Sequence, residues 1–179
     1  MVFNKNIKSF IRGLPKVELH LHLEGAIPLK ALLCILEKYK GEDFLTLCDL
    51  QKKFEYTNFS HFLDIWAWKN QFLREYEDFE FIAEKVAEDL ANQNIYYAEM
   101  YFSPTDFSKV KLQPQDIATS IRKGLNKHSD KITINLIADL VRDSEPKLSL
   151  LEQISEVRDQ GIIGIGLGGD ELKFPPKLF

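Results

Sequence analysis

Apolar positions along this chain follow two periods, and the two alternate. Val17-Glu18-Leu19-His20-Leu21-His22 switches between apolar and polar at every residue, the period of a half-buried strand. Gly25 and Pro28 mark a turn, and Pro28 suits a helix start because its missing N–H costs little there. Leu32, Leu33, Leu36 and Tyr39 then recur at helical spacing over Leu29 to Tyr39, with Gly41 as the stop. Residues 42 to 59 are less regular and are expected to hold a short helix and a lobe over a site. Ser60 is the expected N-cap of a helix carrying Phe62, Ile65, Trp66, Lys69 and Phe72-Leu73. A second helix is expected over Asp78 to Asn94, with Phe81, Val86 and Leu90 inward. Ile95 to Phe102 reads as a strand closed by Ser103-Pro104, and Pro114 to Lys127 as a helix. Ile132 to Leu140 reads as a third strand, about Pro146 to Gln160 as a helix stopped by Gly161, and Ile162 to Leu167 as a fourth strand.

Strands separated by helices favour parallel pairing through right-handed crossovers. The third and fourth strands are mostly apolar, as parallel strands covered on both faces should be. The class is therefore α/β; the pattern alone leaves an open doubly wound sheet and a barrel both standing.

Composition narrows the partners. With 23 Lys+Arg against 27 Asp+Glu the formal charge is -4, so no basic face is implied and no nucleic-acid partner is expected. No apolar run approaches the roughly 18 residues that span a bilayer, so no membrane partner is expected either. Met1 to Ile11 carries Lys5 and Lys8 but no continuous apolar stretch, and does not read as a secretion signal. Cys34 and Cys48 make neither a disulfide framework nor a zinc knuckle. The expectation is a reduced, cytoplasmic, soluble protein, and 179 residues suit one domain or part of a larger one.

The candidate chemistry gathers where strands end. His20, His22 and Glu24 close the first; Glu99 and Ser103 the second; Asp139 and Arg142 the third; Gly168 through Glu171 the fourth. Barrels and open sheets both place their sites at that edge. On a strand, residues i and i+2 share a face, so the imidazoles of His20 and His22 can share one metal. Two solvent-facing histidines on an edge strand would carry the same pattern. Glu99 and Asp139 are candidate carboxylates, or internal ion-pair partners, with Arg142 the expected partner of either. His61 and His128 read as surface histidines; of Trp66 and Trp68, one is expected in the core and the other lines a pocket or packs. Gly164 to Gly169 satisfies G-x-G-x-x-G, but the glycines lie inside a strand rather than opening a helix, so close backbone approach to a ligand is the better reading.

Three segments together resemble the adenosine and adenine deaminase family: Leu14 to Ala26 (LPKVELHLHLEGA), Tyr97 to Pro104 (YAEMYFSP), and Gly164 to Glu171 (GIGLGGDE) followed by Phe174-Pro175. They occur in family order and span nearly the whole chain. The resemblance implies a (β/α)8 barrel, of which residues 1–179 would be the first half: four parallel strands with helices in one incomplete domain. It implies one zinc ion per full-length subunit, with His20 and His22 as ligands. It implies a small-molecule purine substrate contacted by His22, Glu24 and the backbone of Gly169, and hydrolytic release of ammonia.

Two departures qualify that picture. Many adenosine deaminases have Asp where this chain has Glu24, so adenosine, adenine and aminodeoxyfutalosine all stay open as substrates. The family's third zinc histidine, its general-acid glutamate in a His-Ala-Gly-Glu segment, a further catalytic histidine and an aspartate ligand would all lie beyond Phe179, so no catalytic residue is assigned within this chain. Four strands alone would expose two edges and an inner face, so self-association and no useful turnover are expected of these residues by themselves. A non-catalytic assembly protein and another H-x-H metalloenzyme are the competing readings.

Overall fold

A computed structural model describes residues 5–40, 46–142, 148–171 and 173–178. Four strands form one parallel sheet: β1 (Lys16–His22), β2 (Ile95–Phe102), β3 (Thr133–Arg142) and β4 (Ile162–Gly169). Their spatial order is β1-β2-β3-β4, each strand beside its successor. A doubly wound sheet reverses direction at a switch point, whereas a barrel adds strands in sequence order. The fold is therefore the first half of a (β/α)8 barrel, incomplete, with helices on the outer face.

The helices are α1 (Lys5–Gly13), α2 (Leu29–Lys38), α3 (Leu47–Lys53), α4 (Phe59–Asn70), α5 (Tyr76–Asn92), α6 (Pro114–Leu125) and α7 (Leu148–Glu156). Along β2, Ala98, Met100 and Phe102 are fully buried against the helical layer, where Phe79, Ile82 and Val86 of α5 meet Ile117 and Ile121 of α6. Gly124 lets α6 approach α5 closely, because a Cβ there would collide with the Glu80 carbonyl. Residues Tyr97, Glu99 and Tyr101 alternate onto the opposite, inner face and are only half buried.

Several boundaries differ from the sequence pattern, each for a local reason. Helix α1, which the apolar pattern does not single out, ends where Lys16 Nζ donates to Ile11 O (3.1 Å) and to Leu14 O (2.7 Å) just beyond it. The cap of α4 is Asn58, whose Oδ1 accepts the His61 N–H at 2.9 Å, rather than Ser60. Helix α5 starts before Asp78, because Asp78 is the third residue of a capping box and its Oδ2 accepts the Glu75 N–H at 3.0 Å. Helix α6 ends at Leu125 and a tight turn covers Asn126–His128. Strands β3 and β4 each run two residues further than expected, taking Arg142 and Gly169 into the sheet. Gly41, residues 42–45 and Pro146 lie outside the described residues.

Strand β1 is not the regular strand its alternation suggests. Its register against β2 slips between Glu18 and Leu21, so two residues face one. Leu21 packs on the core and Leu23 is buried, but Val17 and Leu19 stand 62% and 55% exposed on this edge strand. At the other edge, Ile163 and Ile165 of β4 are exposed to a similar degree. Among the described residues no helix is long and apolar enough to cross a membrane.

Helices α5 and α6 are also joined by an ion-pair network on their outer surface. Lys127 reaches Glu80 (2.9 Å) and Glu84 (2.7 Å), and Lys123 reaches Glu80 (2.6 Å). These ammonium groups hold both carboxyls below the usual 4.5. A carboxyl lowered by folding stabilises above its unfolded pKa and loses that contribution as pH falls through its folded one. Lys127→Met is expected to cost less than about 1 kcal/mol at neutral pH, exposed pairs being screened. Urea denaturation across pH should show that difference closing as pH falls below the usual carboxylate range.

Candidate active site

Because the strands are parallel, their C-terminal ends lie along one rim, and that rim lines a cavity of about 350 Å³. His22 of β1, Ser103 after β2, Asp139 and Arg142 of β3, and Gly168 and Gly169 of β4 form its sheet side. Phe59, Phe62, Leu63 and Trp66 of α4 form an aromatic wall across from them. The irregular stretch before α4 was expected to supply a cover; the cover is α4 itself.

His20 and His22 do share a face. Their Nε2 atoms are 3.3 Å apart. Two nitrogens bound to one tetrahedral zinc at about 2.05 Å would be separated by about 3.3 Å, so the spacing of the pair is that of two ligands of one metal. His20 stacks on Tyr101, with ring centroids 4.5 Å apart. His22 Nδ1 lies 3.4 Å from Asp139 Oδ2. A carboxylate behind a ligating imidazole accepts its second N–H and turns the other nitrogen's lone pair toward the metal. Burial, with help from His20 and Lys69, lowers the His22 pKa and so favours the neutral, ligating imidazole. Burial raises Asp139 to about 6. Among the described residues, no cluster of three or more His, Cys, Asp or Glu gathers in a metal-binding arrangement.

The expected pairing of Arg142 with Glu99 or Asp139 does not occur. Asp139 turns to His22 instead, and Glu99 accepts the Tyr97 hydroxyl at 2.9 Å on the inner face. Arg142 instead brackets the end of β4, donating from Nη2 to Leu167 O (3.4 Å) and placing Nη1 3.4 Å from Glu171 Oε1. Asp139 and Arg142 lie three apart on one strand and so project to opposite faces. A Cβ on Gly166 would collide with Asp139 Oδ1, and one on Gly168 would come within 2.9 Å of Oδ2, so the bare β4 backbone leaves room for the Asp139 carboxyl. Gly169, with φ +107°, lies against the Arg142 backbone and lines the cavity with peptide rather than side chain.

Glu24 is placed differently from its expected role. It is 1% exposed, does not line the cavity, and its Oε1 accepts the Ser103 N–H at 2.9 Å. Its Oε2 is buried with no hydrogen-bond partner. Burial dominates and pushes Glu24 up to about 7, against the opposing Ser103 hydrogen bond and Lys69. Lys69, also buried, is lowered to about 8 by desolvation. His61 bonds at Thr57 and His128 lies in the turn after α6, neither in the cavity. Trp66 lines the cavity while Trp68 packs on the core. The sequence pattern did not single out Asp106, whose Oδ2 accepts from Trp66 Nε1 at 3.1 Å, nor Phe59 and Leu63. Lys69 on an otherwise apolar helix face was the available signal.

The family model described as adenosine deaminase matches residues 15–179. An adenine deaminase of Vibrio parahaemolyticus is 30% identical over 97% of this chain and 52% of its own length. An aminodeoxyfutalosine deaminase of Acidothermus cellulolyticus is 27% identical over 94% of this chain and 49% of its own. The chain thus spans about half the length of the curated relatives it matches. Among solved structures, an amidohydrolase from Burkhoderia ambifaria with bound Zn superposes with a TM-score of 0.87 at 22% identity, covering 100% of this chain and 50% of that one.

The contest for space on the inner face gives a direct test. Gly166→Ala is expected to destabilise by about 1–3 kcal/mol through overpacking. Asp139→Ala in the same chain should recover part of that loss, as read by urea denaturation.

Proposed function

The chain belongs to the adenosine deaminase family, and from that premise we propose that it carries two zinc ligands and part of the purine site of an aminohydrolase. The reaction replaces the exocyclic amino group of a 6-aminopurine by the oxygen of water and releases ammonia. The observation that carries the reading is the 3.3 Å pair of imidazole nitrogens backed by the Asp139 carboxyl.

Zinc, when bound, supplies Lewis acidity and lowers the pKa of water enough to give a nucleophile near neutral pH. The residues of this chain prepare that chemistry. His20 and His22 offer two Nε2 lone pairs on one side of β1. Asp139 lies 3.4 Å from His22 Nδ1, placed to accept its N–H and favour the Nε2-ligating tautomer. Trp66, Phe62 and Leu63 give a flat apolar wall that packs a purine face and excludes water. Gly169 presents backbone to the ring edge. The adenine deaminase matched at 30% identity favours adenine.

Adenine is the substrate we infer first, with adenosine and aminodeoxyfutalosine as the alternatives. The test is ammonia release from each by the native gene product, with zinc measured by metal analysis. His20→Ala and His22→Ala should lose bound zinc and turnover. Asp139→Ala should keep the fold and lose about 10- to 100-fold in zinc affinity. A native gene product that binds no zinc and releases ammonia from none of the three overturns the reading.

The exposed apolar residues of both sheet edges, Val17 and Leu19 on β1 and Ile163 and Ile165 on β4, require cover. We propose that the 179-residue polypeptide by itself covers them by pairing with a second copy and turns over no purine. Light scattering should show a dimer or larger species; a stable monomer, or turnover with added zinc, refutes this.

A further inference from the structure

Behind the aromatic wall lies a charged cluster that the proposed chemistry does not use. Lys69 is 3% exposed, and its Nζ sits 3.8 Å over the Trp66 ring. The same ammonium donates to Asn70 Oδ1 at 2.8 Å. Asn70 in turn donates to Asp106 Oδ2 at 3.2 Å, the oxygen that also receives Trp66 Nε1. Glu24 and Asp106 are the carboxyl groups within electrostatic reach of Lys69. The far edge of the Trp66 ring meets the first barrel strand's exit, where a Cβ on Gly25 would come within 3.3 Å of it.

Burying an ammonium costs several kcal/mol, and an aliphatic side chain would fill the same helix face without that cost. What an aliphatic side chain cannot supply is a cation held on an indole face while the indole N–H is tied at the opposite end. Two contacts then fix one ring: Lys69 on its face and Asp106 at its nitrogen. That ring lines the cavity beside His22, whose imidazole meets it edge-on at 6.0 Å.

We propose that Lys69 is a positioning residue, whose ammonium, seated on the indole face and anchored through Asn70 and Asp106, fixes Trp66 as the rigid wall of the ligand cavity. The purine as occupant of that cavity rests on the function proposed above; the fixing of Trp66 does not. The ring is set before ligand arrives, so binding costs little side-chain ordering. Removing the ammonium frees the ring and weakens binding while leaving His20 and His22 in place on β1.

The experiment is fluorine NMR of the native gene product labelled with 5-fluorotryptophan, the Trp66 resonance being assigned by its loss in Trp66→Phe. Adenine is the probe. The parent should give one sharp Trp66 resonance that moves on adding adenine. Lys69→Met should broaden or split that resonance while zinc content holds, with a lowered melting temperature because Glu24 and Asp106 lose their facing cation. Adenine affinity should fall about fivefold, the scale of one partly desolvated cation–π contact. Should Lys69→Met fail to fold, Asp106→Asn loosens the same ring from its nitrogen end and is read in the same way. A Trp66 resonance as sharp as the parent's in these variants, with unchanged adenine affinity, overturns the proposal. If adenine moves no resonance in the parent, the purine reading fails, and the linewidth comparison alone decides the role of Lys69.

Discussion

Parallel pairing sends all four strands out of the core at the same edge, and most of the chemistry follows from that. Residues far apart in sequence reach one another because the strands end together, His22 of β1 and Asp139 of β3 meeting across the end of β2. The same pairing buries Ala98, Met100 and Phe102 under helices while their alternating neighbours Tyr97, Glu99 and Tyr101 face the interior of the curve. One face thus supplies hydrophobic stabilisation and the other is left for polar groups. The inner face is organised by hydrogen bonds rather than by apolar packing: Asn135 donates to the Tyr97 hydroxyl, which donates to Glu99.

The elements were largely legible in the sequence because period 2 and period 3.6 leave distinct traces. Boundaries were less so, since caps depend on which oxygen finds an N–H: Asn58 rather than Ser60 begins α4, and Asp78 sits inside its helix as a capping partner. The His20–His22 pair could be placed on one face from spacing alone. The partner of Asp139 could not, because charge suggested Arg142, while three residues along one strand send the two side chains to opposite faces. The room that Gly166 and Gly168 leave for its carboxyl is a property of a neighbouring strand that only the strand order reveals. Glu24 was legible as a residue near the site but not as a buried one.

The burial of Glu24 and Lys69 shows how the rim and the wall are made one unit. Each charge is expensive alone, and their proximity offsets part of that expense. The cluster joins the exit of β1, the exit of β2 through Ser103, and helix α4. A helix that would otherwise be only an amphipathic cover is thereby tied to the strand bearing the histidines.

The bare backbone of β4 has a consequence for how such sequences diverge. Positions 139 and 166 draw on a single volume on the inner face, bounded also by Tyr101, so a side chain at 166 displaces the carboxyl at 139. A lineage that acquires a larger residue at 166 gains most by shortening the side chain at 139 at the same time. The two positions should therefore drift as a linked pair, although 27 residues separate them along the chain.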